Sequence, residues 1–363
     1  MLKKLDLELP GISRLAASLI AGTYALAMGF MLCMPASASS ITPDDPRLSP
    51  ARIVSYNNAG FTQVFIDGFI HKPTVESFQR LLHSGQEFGI VYFNSGGGDL
   101  AAAQKLGRMI RAKGYSTQIG QLSSDGTHIA KGICESACPI AFIGGKYRLL
   151  DTETGRLGVH RFYLAQQGRW ASDSASLFSA EQDLRKYVDE MGISPEFFGL
   201  IMKTSPDKLQ HIGKPAFFHL GLATDAAQVE WLRNENGGLV GVSDSATGRL
   251  TIGFTCSGGR LHNQVRVKPW FPPAALLNYE VHSIVVDGAK LPLDEVTAGF
   301  DKASGEITFD APTPPEAVSK FSSAKEVGYS MTFEKSPGDY SRSLYLDRRG
   351  SELSAMALSC TNS

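Results

Sequence analysis

Residues 91–114 read VYFNSGGGDLAAAQKLGRMIRAKG. The stretch runs from an apolar strand (GIVYFN, 89–94) through the turn SGGGD into a helix that ends on Gly114. A turn with three glycines is one that another group must approach closely, because no Cβ stands in the way. Outward from it the same alternation continues. FTQVFIDGFI (61–70) is strand-like, VESFQRLLHSG (75–85) is an amphipathic helix closed by a glycine, and YSTQIG (115–120) is a further strand. Strands alternating with helices predict βαβ units, a mostly parallel sheet and an α/β domain.

That domain is expected over 59–233, persisting through GLATD (221–225) and a short helix to Leu232. NENGGLVG (234–241) is turn-rich and reads as a boundary. Beyond it the periodicity shortens to two in RLTIGFTC, QVRVKPW, EVHSIVVDG, EITFDA, VGYSMTF, SRSLYLD and MALSC. A small all-β, sandwich-like domain over 242–363 is the expectation. Residues 39–58 are polar and proline-bearing, and read as a linker.

The N-terminus bears on compartment. Lys3, Lys4 and Arg14 precede an almost wholly apolar run, Leu15–Met34, then Pro35 and the small-residue pattern Ala36-Ser37-Ala38. This is the pattern of a signal peptide over 1–38, cleaved after Ala38. The run is also long enough for an uncleaved inner-membrane anchor. A periplasmic or secreted protein is expected, exported unfolded and so without a tightly held cytosolic cofactor. The chain has 363 residues, 43% hydrophobic and 20% charged, with a net charge of −1. No basic excess is available to hold nucleic acid. Apart from Cys33 the cysteines are Cys134, Cys138, Cys256 and Cys360, an even set in an oxidising compartment, with three connectivities open. Cys256 and Cys360 fall in the first and last expected strands of the β domain, where a bridge would tie its ends together.

Gly96 to Ala101 fits the dinucleotide pattern G-x-G-x-x-G/A, but the next strand lacks the acidic residue that would bind the ribose, and an exported chain meets little NAD. Glycines so placed can instead offer backbone N–H groups to a developing oxyanion. Downstream, GICESAC (132–138) sets Ser136 two residues from a cysteine on either side, just ahead of the apolar run PIAFIG. The plain reading of Ser136 is a helix cap; the sharper one is a nucleophile presented on a turn.

The ordered set of motifs resembles the proteolytic subunit of Clp protease, in the exported branch of the Clp/crotonase superfamily. VYFNSGGGDLAAAQKLGRMIRAKG is similar to that family's strand, glycine loop and helix. GICESAC matches its G-x-x-x-S with the nucleophilic serine. GGKYRLLDTETGRLGVH (144–160) is similar to the strand carrying its histidine, with His160 following Ser136 by 24 residues, and FFHLGLATD (217–225) resembles a later segment. The resemblance spans about 61–225. It implies a spiral of ββα units, a Ser136 nucleophile, a His160 base, and oxyanion donors at the N–H groups of Gly97 and Ala137. The acidic partner is matched least cleanly: Asp207 in TSPDKL is the candidate, with Asp189 in YVDEMG as the fallback. His160 also has a plain reading, a hydrogen-bonded core histidine, as does Asp207, a solvated carboxylate.

If Ser136 opens a helix, Cys134 and Cys138 stand close enough to bridge across the turn; two packed thiols are the alternative. Glu135 and Arg161 depart from the family pattern, and a buried glutamate beside a nucleophile needs a partner. The resemblance implies polypeptide substrates and a homo-oligomer, with no cofactor and no metal, and no ATP-driven unfoldase outside the cytoplasm. Three other readings compete. One is a catalytically inactive binding or interaction protein on the same fold. Another is a membrane-anchored serine–lysine dyad using Lys131 or Lys146. The last is a crotonase-type acyl-CoA enzyme, disfavoured by export.

Overall fold

The computed structural model describes residues 49–58, 61–150, 155–162, 164–166, 169–171, 174–224, 228–346 and 349–360. The expected signal segment and its cleavage site lie outside these residues. The described chain belongs to one compact unit.

β1 (Arg52–Asn58) and β2 (Phe61–Asp67) pair antiparallel. Then α1 (Lys72–Leu82), β3 (Phe88–Asn94), α2 (Leu100–Lys113) and β4 (Ser116–Ile119) add two parallel strands through helical crossovers. β2 and β3 are buried over five consecutive residues each, the mark of strands covered on both faces. Val64, Ile66, Val91 and Phe93 meet Phe78, Leu106 and Ile110 of the helices on one side. Phe65, Ile90 and Tyr92 face the other way. Asp99 caps α2 by accepting the Ala102 N–H at 2.6 Å, and Gly114 ends it in the left-handed conformation, φ 74°.

From β4 the chain builds a second, smaller sheet. A short ribbon of β5 (Gln121–Leu122) and β6 (Ile129–Ala130) leads into β7 (Gly132–Glu135) and α3 (Cys138–Phe142). β8 (Arg148–Leu149) returns to the edge of the first sheet, and β9 (Gly155–Val159) pairs parallel with β7. β10 (Leu164–Gln166) and β11 (Arg169–Ala171) form a hairpin, followed by α4 (Ser174–Glu190), α5 (Pro195–Lys203), β12 (Gln210–His211) and α6 (Lys214–His219). The sheets run β1-β2-β3-β4-β8 and β12-β9-β7. In the passages β4, β7, α3 and β8, β9, α4 each sheet receives one strand before a helix follows.

The C-terminal region is two antiparallel sheets. The first contains β13 (Gln228–Arg233), β14 (Leu239–Ser245), β15 (Gly248–Ser257) and β16 (Arg260–Pro269). The chain continues with β17 (Val281–Val286), β18 (Ala289–Pro292), β19 (Thr297–Asp301), β20 (Glu306–Pro312), α7 (Pro315–Lys320), β21 (Glu326–Thr332), β22 (Asp339–Tyr345) and α8 (Gly350–Cys360). The strand orders are β13-β14-β15-β16-β20-β19 and β18-β17-β21-β22. Phe254, Val265 and Phe309 of one sheet share a core with Ile284, Tyr329 and Leu344 of the other, and the Phe309 and Tyr329 rings stack at 5.6 Å. This is a sandwich, with two helices added.

Four expectations are corrected. Residues 39–58, read as a linker, hold strand β1 from Arg52 to Asn58, which pairs along its length with β2. The segment ending at Leu232 is strand β13, not a helix, because it pairs along its length with β14. Residues 234–241, read as a boundary, hold the turn of that hairpin. MALSC lies in helix α8, so Cys360 is on a helix, and Cys256 sits in β15, the third strand of its sheet.

Candidate active site

Ser95 extends β3 to touch β7. Its N–H donates to Ile133 O at 2.7 Å, and its carbonyl accepts the Glu135 N–H at 3.0 Å. β7 is thereby held between Ser95 and β9, with Glu135 paired to Gly158. The Ser136 N–H then donates to Gly158 O at 3.0 Å. Ser136 stands just past the end of β7, and His160 just past the end of its parallel neighbour β9. The two expected catalytic residues therefore leave adjacent strand ends on the same edge of the second sheet.

Ser136 has φ 59°, a left-handed backbone that a residue with a Cβ rarely adopts. The other non-glycine residues of this kind among those described, Asp287 and Glu295, lie in loops of the sandwich. The next residue, Ala137, opens α3. The glycine loop packs directly on this turn: a Cβ at Gly97 would lie 2.5 Å from Ser136 Cβ and 3.0 Å from its Oγ.

The loop's donors differ from the expected assignment. The Gly97 N–H is donated to Ser95 Oγ at 3.2 Å, and that buried hydroxyl lies 3.2 Å from the Gly97 carbonyl. Its expected role as oxyanion donor is thus taken up locally in this conformation. Gly98, φ 135°, is held by its neighbours' bonds: Ile70 N–H donates to Gly97 O and Asp99 N–H to Ile70 O, both at 2.8 Å. The N–H groups of Gly98 and Ala137 have no acceptor among the described residues. The sequence does not tell the three adjacent glycines apart, because they look alike until their hydrogen bonds are known.

His160 Nδ1 lies 2.9 Å from the Arg161 carbonyl. A carbonyl only accepts, so Nδ1 carries the proton and a neutral ring keeps its lone pair on Nε2. The Arg161 N–H donates to Thr204 O at 2.9 Å, and β12 pairs with β9 at Val159 and Gly158. The 204–210 loop, which carries Asp207, is thereby pinned beside the strand end that bears His160. Asp207 itself is exposed, and its Oδ1 accepts the Ser205 hydroxyl, which holds the carboxyl below its usual range. Asp189 is exposed at the end of α4. Among the described residues the Ser136 hydroxyl makes no hydrogen bond; such bonds are often long in a free enzyme and close only around substrate.

Cys134 and Cys138 are bridged across the turn, Cα atoms 5.1 Å apart, and Cys256 and Cys360 are bridged at 5.4 Å. Glu135 points its mostly buried carboxylate at Arg156 of β9, Oε1 to Nη2 3.2 Å, an ion pair without hydrogen-bond geometry. Lys146 Nζ sits over the Tyr147 ring at 5.3 Å, and Lys131 is exposed just ahead of β7. Among the described residues no group of three or more His, Cys, Asp or Glu is placed to hold a metal ion. No helix among them is long and apolar enough to cross a membrane.

No protein-family model and no curated protein matches the chain. Solved structures do align in part. ClpP1 from Listeria monocytogenes is 15% identical over 44% of this chain and 88% of its own, TM-score 0.31. The ClpP protease catalytic domain from Plasmodium falciparum is 11% identical over 45% and 82%, TM-score 0.31. A mutant of the 1510-N membrane-bound stomatin-specific protease is 15% identical over 46% and 79%, TM-score 0.35.

Proposed function

We propose that this chain is a serine hydrolase acting on polypeptides. Ser136 Oγ attacks the substrate carbonyl carbon as its proton passes to His160 Nε2. The oxyanion is met by the N–H groups of Ala137 and Gly98. Collapse breaks the C–N bond, and His160 returns the proton to the leaving amine. Water then repeats the sequence on the acyl-enzyme, with His160 again as base, and frees the acid. The Arg161 carbonyl orients the imidazole. Asp207, exposed and solvated, contributes only a screened charge.

The observation that carries this reading is the left-handed backbone of Ser136, seated against a glycine loop at the strand edge it shares with His160. Strain at a residue with a chemical side chain points to function rather than packing. Polypeptide as the substrate class follows from the resemblance of the ordered motifs. A fluorophosphonate probe tests the chemistry without a known substrate. Labelling is expected at Ser136 and absent in Ser136→Ala. His160→Ala should slow it by about 10³-fold or more, and Asp207→Ala by no more than about threefold. An unlabelled native protein would instead support the inactive binding protein, the reading favoured by the unbonded Ser136 hydroxyl.

We further infer export to an oxidising compartment, supported by two bridged cysteine pairs and the apolar leader ending Ala36-Ser37-Ala38. N-terminal sequencing of protein from the native host should begin at Ser39; a chain retaining Leu15–Met34 would be anchored instead.

A further inference from the structure

Ser136 is enclosed by a covalent ring that the proposed chemistry does not itself use. Cys134 is in β7, Cys138 is the first residue of α3, and their bridge closes around Glu135, Ser136 and Ala137. If these residues stayed extended, the end Cα atoms would stand about 13 Å apart, at ~3.3 Å per residue. They are 5.1 Å apart, so the chain reverses within three residues, and Ser136 takes the left-handed conformation in the middle of that reversal.

On the α3 side one main-chain bond reaches back to the turn, Ile140 N–H to Ala137 O at 3.1 Å. Its N-cap, Ala137, has no side-chain hydrogen bond, and the helix carries a proline in its first turn, Pro139, which has no N–H. Two main-chain bonds anchor the near side, Glu135 N–H to Ser95 O and Ser136 N–H to Gly158 O, both at 3.0 Å. Both sulfurs lie in fully buried residues within the α/β core. The bridge therefore adds a covalent cross-link, beside the main chain itself, from the helix start back to β7.

We propose that the Cys134–Cys138 disulfide is a positioning device for the nucleophile: it holds Ser136 in its left-handed backbone against the glycine loop, so the site is assembled only in the oxidised chain. This rests on the hydrolase reading above. Opening the bridge lets Ser136 relax toward an ordinary backbone, as residues with a Cβ prefer. Relaxation displaces Oγ from His160 and the Ala137 N–H from the carbonyl it would polarise. A displacement of about 1 Å in such a constellation can lower the rate on the order of 10²-fold.

Trypsin releases residues Gly132–Lys146 as one peptide carrying Cys134, Ser136 and Cys138, so a single mass reports both probe adduct and bridge state. The full-length native protein is partly reduced, treated with fluorophosphonate, alkylated and digested. The expected result is adduct on bridged peptides and alkylation without adduct on opened ones, with labelling slowed on the order of 10²-fold. Cys134→Ala/Cys138→Ala should show the same loss with its circular dichroism retained, while Cys256→Ala/Cys360→Ala labels at the native rate. Opened but folded protein labelling as fast as bridged protein overturns the proposal. Oxidised native protein that never labels refutes the hydrolase reading instead, and takes this inference down with it.

Discussion

Gly97 and Gly98 are neighbours with different tasks. A Cβ at Gly98 would fall 2.2 Å from Ile70 O, so its bareness lets β2's extension pass. A Cβ at Gly97 would meet Ser136 itself, in a backbone at φ 118° that disfavours any side chain. Gly97→Ala should therefore push the nucleophile aside and reduce fluorophosphonate labelling on the order of 10²-fold, with the fold retained by circular dichroism. Gly126→Ala is the control: it is also left-handed, φ 75°, but nothing lies within 4 Å of its Cβ position, so labelling should be unchanged. Labelling equal in the two variants would mean that Ser136 is not seated against the loop. The placement of Ser136 and His160 at the ends of neighbouring strands was legible because each is one side chain in an ordered set of motifs. Two other parts of the site were not. Whether the Gly97 N–H is available depends on the buried Ser95 hydroxyl, and one group beside the His160 ring is the Arg161 carbonyl, a backbone group that every residue possesses.

At the scale of elements, the far end of α3 is held by arginine. Arg111 on α2 donates from Nε to Gly144 O at 2.9 Å and from Nη2 to Ile143 O and Gly145 O, both at 3.1 Å. Arg148 adds a bond from Nη1 to Gly145 O at 3.0 Å. Burial, and secondarily the charge of Arg111, lowers Arg148 to about 10. Gly144 makes the approach possible, since a Cβ there would strike the Gly107 carbonyl on α2 at 2.3 Å. Arg111→Ala strands several carbonyls at once and should cost about 2–3 kcal/mol by urea denaturation. Arg111→Lys should recover little, because an ammonium cannot reproduce the planar fork. A shift within about 0.5 kcal/mol would show that the carbonyls find other donors. The βαβ run from β2 to β4 was readable because long, strongly periodic segments constrain both type and placement. Short segments were not. QVEWLR is six residues whose fate is set by pairing with β14, a contact invisible in the local pattern. MALSC looked like a strand because five residues hide the period; Leu353, Ala357 and Cys360, buried along α8, show the helical spacing once the window reaches back to 350.

At the scale of the molecule, the sandwich covers the face of the five-stranded sheet that the helices leave bare. Trp270, between β16 and β17, sits among Phe61 at 5.9 Å, Phe88 at 6.4 Å and Tyr147 at 5.1 Å. Tyr92, on that face, is raised well above its usual range, mainly by burial and then by Tyr279 and Asp339 of the sandwich. This contact is largely apolar and aromatic. The Cys256–Cys360 bridge lies elsewhere: it spans 104 residues and fastens α8 to β15, with Cys360 buried and Cys256 exposed. Its stabilising effect comes largely from restricting the unfolded chain, and a loop of this length is worth about 2–5 kcal/mol. Cys256→Ala/Cys360→Ala should therefore lower the unfolding free energy, measured by urea denaturation, by about 2–5 kcal/mol. Because the Trp270 contact does not involve α8, the α/β region should keep its support, and labelling at Ser136 in the folded state should stay at the native rate. A matching loss of labelling before any unfolding would mean that the sandwich shapes the Ser136 turn through α8, and that the two regions act as one mechanical unit rather than an α/β body with a packed cover.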